Sequence, residues 1–284
     1  MILFKKATDL HKWLDRQRQK GLSIGFVPTM GALHKGHISL IETSRQQNPA
    51  TVCSIFVNPT QFNDPKDFEK YPITIEKDIA LLEEAGCDVL FLPSVKEMYS
   101  DGIKAVQHYD LGSLETILDG KFRPGHFQGV CMVVHRLLDI VDPDNLYLGQ
   151  KDYQQCMVIT KLVQLINKDK KIKVNICPTL READGLAMSS RNMRLNKEER
   201  NTATTIYQCL RYIKENIHKE TIAVLKQEAI STLEKAGFKV DYVEIANATT
   251  LSPITDRDGK EKMVALIAAF MNEVRLIDNM PLNP

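Results

Sequence analysis

The sequence predicts a doubly wound α/β fold, a parallel sheet with helices on both faces, followed by a smaller C-terminal α+β domain. In the first part of the chain, short apolar runs bounded by turn residues alternate with segments of helical spacing. After Pro178 the pattern changes to a polar loop, two helices and then strands. We therefore expect two domains, residues 1–177 and 178–284.

The βα alternation is carried by five apolar runs, which are candidate buried parallel strands: residues 24–27, 51–57, 88–92, 146–148 and 174–177. The segments between them carry apolar residues at helical spacing, and four are predicted helices: residues 38–45, 75–84, 129–141 and 153–166. Helical crossovers between parallel strands cover both faces of a sheet, so a doubly wound arrangement follows.

The second domain is predicted to begin its helices at Asn196, because Glu199 three residues later completes an asparagine-led capping pair. Helices are expected over 197–217 and 222–236, and strands over 240–246 and 263–270. Asp258 and Gly259 are the turn residues expected between the two strands.

Composition excludes several classes of function. Lysine and arginine number 37 against 36 acidic residues, so no excess positive charge indicates a nucleic-acid or membrane partner. No stretch approaches the ~20 apolar residues of a membrane-spanning helix. The six cysteines are scattered, without a Cys-x-x-Cys pair, and are interpreted as reduced core residues. These features predict a soluble, cytoplasmic protein.

The turn after the strand at 24–27 is the first candidate site, because ligands of open parallel sheets bind beyond the carboxyl ends of strands. Gly31 and Gly36 remove side chains where a phosphate must approach the backbone, and the following helix offers unpaired N–H groups. His34 and His37 lie three residues apart and can face the same anion. Two alternatives stay open: His34 only caps a turn, or the histidines bind zinc, for which no third ligand has suitable spacing.

A second cluster, residues 149–152, follows the strand at 146–148 and is expected at the same sheet edge. Lys151 can supply a point charge to a phosphate, Asp152 can cap the next helix, and glutamines at 154 and 155 can hydrogen-bond a polar substrate. A third cluster, residues 186–192, combines Ser189 and Ser190 with Arg191, whose fork suits phosphate. A solvated turn and a flexible linker are the respective alternatives.

Five motifs, in this order, resemble the pantothenate synthetase family, which joins pantoate to β-alanine at the expense of ATP. They are Pro-Thr-Met-Gly-Ala-Leu-His-Lys-Gly-His (28–37), Ser-Ile-Phe-Val-Asn-Pro-Thr-Gln-Phe (54–62), Arg-Pro-Gly-His-Phe (123–127), Gly-Gln-Lys-Asp-Tyr-Gln-Gln (149–155) and Asp-Gly-Leu-Ala-Met-Ser-Ser-Arg-Asn (184–192). The wider group of nucleotidyl transferases carries a His-Ile-Gly-His signature, here His34 to His37, and a mobile Lys-Met-Ser-Lys-Ser loop. Arg191 stands where that group often has lysine.

The resemblance implies a two-step reaction. The pantoate carboxylate attacks the α-phosphate of ATP to give pantoyl adenylate and pyrophosphate, and the amine of β-alanine then displaces AMP. It further implies Mg²⁺ with the ATP, a homodimer, a Rossmann-like nucleotide- and pantoate-binding domain over 1–177, and a lid domain over 178–284.

Site residues are implied by the same resemblance. The catalytic groups would be His34, His37, Lys151, Ser189, Ser190 and Arg191. ATP would be bound by Met30, Gly31, Ala32, Leu33, His34, Lys35, Gly36, His37, Gly149, Gln150, Lys151, Asp152, Leu180, Met188, Ser189, Ser190 and Arg191. Pantoate would lie against Gln61, Gln155 and Met30, with Gln61 also near β-alanine.

Several readings remain open at the level of sequence. His126 and His135 are expected to have structural roles, and Asp78 is a candidate neighbour of a phosphate-bound magnesium ion. A related adenylyltransferase that hands AMP to a phosphate ester is the competing enzyme, although Gln61 and Gln155 argue against it. A nucleotide-sensing protein without turnover is the competing binding function.

Overall fold

The structure is a computed structural model that describes residues 1–100, 102, 107–256 and 261–282. The chain divides into two compact units. The first comprises Met1–Gln150 and Gln155–Pro178, and the second comprises Lys151–Gln154 and Thr179–Pro284. Residues 151–154 therefore belong to the second unit, although the segments on both sides of them belong to the first.

The first unit contains a six-stranded, fully parallel sheet in the order β1-β4-β3-β2-β5-β6. Its strands are β1 (Ile2–Phe4), β2 (Ile24–Thr29), β3 (Ala50–Ile55), β4 (Val89–Phe91), β5 (Asn145–Gly149) and β6 (Lys173–Cys177). The central strands are mostly apolar, as expected where helices cover both faces of a sheet, and Phe26 and Val52 are fully buried. The predicted doubly wound sheet is confirmed.

The helices of the first unit connect these strands. They are α1 (Ala7–Gln19), α2 (Lys35–Gln47), α3 (Pro65–Glu69), α4 (Ile75–Glu84), α5 (Val95–Met98), α6 (Asp119–Phe122), α7 (His126–Val141) and α8 (Tyr153–Leu165). In the part of the chain that the structure describes, no helix is both long and apolar enough to cross a membrane.

The strand order reverses between β2 and β5. From β2 the chain continues through β3 on one side of the sheet, whereas β5 leads to β6 on the other side. Such a switch point leaves a crevice beyond the carboxyl ends of the two strands, where open α/β sheets bind ligands. The segments that leave these ends begin at Met30 and Gln150.

The second unit has its own core, in which helices cover one face of an antiparallel sheet of order β7-β8-β9. Its elements are α9 (Lys197–Thr202), α10 (Thr205–Asn216), α11 (Ile222–Lys235), β7 (Lys239–Asn247), β8 (Met263–Met271) and β9 (Val274–Pro281). Leu210, Leu233 and Ile267 are fully buried in this core. The expected α+β architecture is confirmed.

The structure corrects some predicted elements. The prediction of a single helix over 197–217 is wrong, because the helix is interrupted between α9 and α10. At this interruption the Thr204 hydroxyl donates to the Asn201 carbonyl at 2.8 Å. Strands β1 and β9 and helix α1 were not predicted. The apolar pattern of β9 is interrupted by Arg275, Asp278 and Asn279. The predicted Asp258 and Gly259 turn lies outside the described residues.

Candidate active site

The turn after β2 is held by a buried carboxylate. Asp78 on α4 is fully buried, and its two oxygens accept the backbone N–H groups of Ala32 at 2.9 Å and Leu33 at 2.8 Å. Thr74 donates its hydroxyl to the same side chain at 3.0 Å. Gly31 has a φ of +82°, and a Cβ there would lie 3.1 Å from Asp78 Oδ2, so this position requires glycine. Asp78 therefore fixes the shape of the turn.

The two histidines of the turn form a reciprocal cap at the start of α2. His34 is the N-cap, and its Nδ1 accepts the N–H of Gly36 at 3.1 Å, while Nδ1 of His37 accepts the N–H of His34 at 3.3 Å. The ring centroids are 4.0 Å apart. Because each Nδ1 accepts a hydrogen bond, a neutral ring carries its proton on Nε2. The capping role left open by the sequence is present, and it turns both Nε2 atoms into donors.

Other residues of the predicted ATP turn differ in exposure. Gly31, Ala32 and Leu33 are buried, whereas Lys35 is exposed at the first position of α2. Among the described residues, no group of three or more His, Cys, Asp or Glu side chains is arranged to hold a metal ion.

Two of the residues predicted to bind substrate are in direct contact. The Gln61 amide nitrogen lies 2.7 Å from the Met30 sulfur, and Gln61 ends a short 3-10 turn, Pro59–Gln61. Asn58 caps that turn, is fully buried, and donates to the Gly129 carbonyl at 3.1 Å and the Gln61 amide oxygen at 3.4 Å. A Cβ on Gly129 would lie 2.3 Å from the Thr60 carbonyl, so a glycine allows α7 to approach this turn.

The main chain of Gln61 is held from α7 as well. His126 is 5% exposed, and its Nδ1 lies 2.7 Å from the Gln61 carbonyl oxygen, while Arg123 is 3.0 Å from the other ring nitrogen. The Tyr99 hydroxyl donates to Asn58 Oδ1 at 2.8 Å, and burial raises the pKa of this hydroxyl. Gln155, the third predicted substrate residue, lies in the first turn of α8. His135, on the same helix as His126, does not take part in these contacts with Gln61; its Nδ1 lies 2.8 Å from the Tyr109 hydroxyl.

The predicted cluster at 149–152 spans the end of β5. Gly149 ends the strand, and residues Gln150–Asp152 form a 3-10 turn before α8. The Lys151 ammonium is 3.3 Å from Asp152 Oδ1, and its side chain is 18% exposed. In the second unit, the Lys151 carbonyl accepts the Asn279 side-chain amide at 2.9 Å.

The predicted cluster at 186–192 begins in the second arm of a short hairpin. Arg181 pairs with Ala187 in an antiparallel bridge, and the Met188 N–H donates to the Leu180 carbonyl at 3.1 Å. The chain then enters the 3-10 turn Ser190–Arg194, which Ser189 caps by accepting the Arg191 N–H at 3.3 Å. Ser190 is buried, and Arg191 is partly exposed.

Three residues have supporting roles that were not predicted from the sequence. Asp78, Asn58 and Asp278 are each 5% exposed or less and make several hydrogen bonds. Asp78 lies on the buried face of α4 with Leu82, and Asp278 follows Val274 and Leu276 on the core face of β9. A charged residue at an apolar position of a periodic element is the signal that could have identified the two carboxylates.

Comparison with known proteins identifies the family. A family model described as pantoate-beta-alanine ligase matches residues 2–281. The chain belongs to this ligase family. Among the relatives of the family, a pantothenate synthetase from Cytophaga hutchinsonii is 45% identical over 283 residues, covering 99% of both chains.

Solved structures of this ligase family share the fold. A pantothenate synthetase from Thermus thermophilus superposes with a TM-score of 0.91 at 40% identity and covers 100% of both chains. A pantoate-beta-alanine ligase from Francisella tularensis, complexed with beta-gamma ATP and β-alanine, has a TM-score of 0.83 at 38% identity. The superposition covers 99% of this chain and 98% of the Francisella tularensis chain.

Proposed function

We propose that this chain is an AMP-forming ligase that condenses pantoate with β-alanine through a pantoyl adenylate. The observation that carries the proposal is membership of the pantoate-β-alanine ligase family over residues 2–281. The motif residues after β2 and β5 leave the two strand ends at the switch point of the sheet, where a nucleotide is expected.

The chemistry explains why ATP is required. A free carboxylate is a poor acylating agent, because its leaving group would be oxide. Attack by the pantoate carboxylate on the α-phosphate forms a carboxyl–phosphate anhydride and expels pyrophosphate. The β-alanine amine then attacks the acyl carbon, the anhydride C–O bond breaks, AMP leaves, and the amine loses a proton.

In the first unit, the turn after β2 would contribute neutral donors. His34 and His37 would donate from Nε2 to phosphate oxygens, with His37 assisting the departure of pyrophosphate. The hydrogen bonds at Nδ1 fix the orientation of both rings before ATP binds. Donors that are already oriented stabilise developing charge without reorganisation, which makes this arrangement suited to the transition state.

In the second unit, the proposed contribution is positive charge. Lys151 and Arg191 would stabilise the negative charge that develops on the phosphates, and Ser189 and Ser190 would donate hydroxyl hydrogen bonds. Arg191 can contact two phosphate oxygens through its planar fork, whereas Lys151 acts as a point charge. The rest of ATP is proposed to contact Asp152, Leu180 and Met188 of this unit, and Gly149 and Gln150 of the first unit.

Pantoate would be recognised in the first unit. Met30 is proposed to contact the gem-dimethyl group, and Gln61 and Gln155 to hydrogen-bond the hydroxyl and carboxylate. The contact between Gln61 and Met30 supports a shared surface for the polar and apolar parts of one small substrate. Amides that need a hydroxyl partner disfavour acids that lack one.

Three further features are proposed. Mg²⁺ would enter bound to the phosphates of ATP, since both Asp78 oxygens already accept backbone N–H groups and Mg²⁺ in such sites retains few protein ligands. The enzyme would act in the cytoplasm, where ATP is available, and as a homodimer. Analytical ultracentrifugation of the purified chain tests the homodimer.

A product assay tests the function. The purified chain is incubated with ATP, Mg²⁺, pantoate and β-alanine, and nucleotides and acids are separated by chromatography. The proposal expects pantothenate and AMP in equal amounts, and neither when pantoate is omitted. ADP as the nucleotide product, or AMP formation independent of pantoate, would contradict it.

A further inference from the structure

Asn279 connects strand β9 to the segment that carries Lys151. Its side chain is 2% exposed and donates from Nδ2 to the Lys151 carbonyl at 2.9 Å, across 128 residues of sequence. The Asn279 N–H donates to Asp278 Oδ1 at 2.8 Å. The backbone of Asn279 is therefore held by Asp278 as well as by strand β9.

The neighbour, Asp278, is part of a forked ion pair. Arg181 Nη1 and Nη2 donate to the two Asp278 oxygens at 2.6 and 3.0 Å, and the carboxylate is 5% exposed. Burial raises the pKa of Asp278, and the charge and hydrogen bonds of Arg181 oppose that rise. The guanidinium also donates to the Asn279 carbonyl at 3.2 Å and stacks over Tyr207 at 4.7 Å. The Arg181 guanidinium thus holds both Asp278 and Asn279 of strand β9.

The same arginine organises the loop that leads to Arg191. Arg181 Nη1 donates to the Gly185 carbonyl at 3.1 Å, and the backbone of Arg181 bridges Ala187. The next residues, 188–191, hold the proposed phosphate contacts. All of these groups belong to the second unit.

We propose that Asn279, held by the Arg181–Asp278 ion pair, is a positioning residue that sets the backbone of Lys151 for adenylate formation. This inference rests on the proposed function. A lysine ammonium lies on a flexible four-carbon chain, so the position of its main chain decides how often it reaches a phosphate. A buried charge on the core face of β9 is costly, and orienting two charge-bearing segments gives a functional reason for retaining it.

A double-mutant cycle tests the proposal. Asn279→Ala is made in the wild-type chain and in a Lys151→Ala chain, and pyrophosphate release from ATP and pantoate is measured in a single turnover. In the wild-type background we expect a loss of at least about 10-fold, because misplaced catalytic groups cost rates of that order. In the Lys151→Ala background the same change should cost less than about twofold, because coupled residues are non-additive.

Controls separate this role from general stability. Asp241→Asn weakens a comparable ion pair of the same sheet, to Arg275 at 2.7 Å, and should leave the rate unchanged. Asn279→Asp replaces the donor with an acceptor at constant size. It should reproduce the loss of rate, and it replaces Asn279→Ala in the test if that variant does not fold. Equal losses in both backgrounds, or full activity of Asn279→Asp, would overturn the proposal. Absence of pyrophosphate from the wild-type chain would instead overturn the proposed function, and the inference with it.

Discussion

The turn after β2 and the loop around Arg191 are both organised by buried carboxylates, but they present different chemistry. In the first unit, Asp78 accepts two backbone N–H groups, and the side chains that project from the turn are imidazoles with donor Nε2 atoms. In the second unit, Asp278 pairs with Arg181, and the nearby segments carry Lys151 and Arg191. The first region offers directed hydrogen bonds, and the second offers charge.

This difference explains how a nearly neutral chain can bind a triphosphate. With a net charge of +1, the protein has no general positive field to attract ATP. Directed donors discriminate the geometry of the transition state, whereas point charges stabilise its total charge. The two regions should therefore respond differently to conservative substitutions.

The largest expected effect is at Asp78. Asp78→Ala leaves the Ala32 and Leu33 N–H groups buried without a carboxylate, at about 1–3 kcal/mol each. We expect a loss of stability of roughly 2–6 kcal/mol, measured by urea denaturation, together with loss of adenylate formation. Asp78→Asn keeps one acceptor oxygen and should lose less. Glu83→Ala, an exposed change on the same helix, is the control, and equal stability of all three variants would refute the role of Asp78.

The second effect concerns charge in the loop. Arg191→Ala should lower single-turnover adenylate formation by ~100-fold, the usual cost of one transition-state donor. Arg191→Lys restores charge without the fork and should recover part of that loss. Arg211→Ala, on an exposed face of α10, should have no effect. A normal rate for Arg191→Ala would remove Arg191 from the proposed machinery.

The third effect separates two roles of His34. Asparagine is among the best N-cap residues, so His34→Asn should preserve the thermal midpoint. It has no donor at the position of Nε2, and we expect adenylate formation to fall by roughly 10-fold, equivalent to about 1.5 kcal/mol for a hydrogen bond to a charged group. Loss of stability with unchanged chemistry would show that His34 only caps the helix.

The smallest effect is expected from the cysteines, which belong to neither region. All six are buried, and burial raises the pKa of Cys87 and Cys131 to about 12. Since the thiolate is the reactive form, a disulfide reagent at pH 8 should modify none rapidly in the native chain and six after denaturation. Rapid native labelling with loss of activity would reveal a reactive thiol and contradict the burial of all six cysteines.

The fold could be predicted from sequence more fully than the site. Apolar periodicity is local, so strands β2 to β8 and helices α2, α4, α7, α8 and α11 could be predicted from it. Asp78 and the turn that it holds are 46 residues apart, and Arg181 and Asp278 are 97 apart, so their pairing is a product of tertiary structure. His34 could be assigned to the start of a helix, but not the hydrogen bonds that orient its ring.

In the proposed mechanism, ATP is cleaved by pantoate before β-alanine reacts. Rapid-quench analysis of the wild-type chain with labelled ATP, Mg²⁺ and pantoate alone tests it most directly. We expect about one pyrophosphate per site in a burst, with AMP released only after β-alanine is added. No pyrophosphate without β-alanine would contradict it.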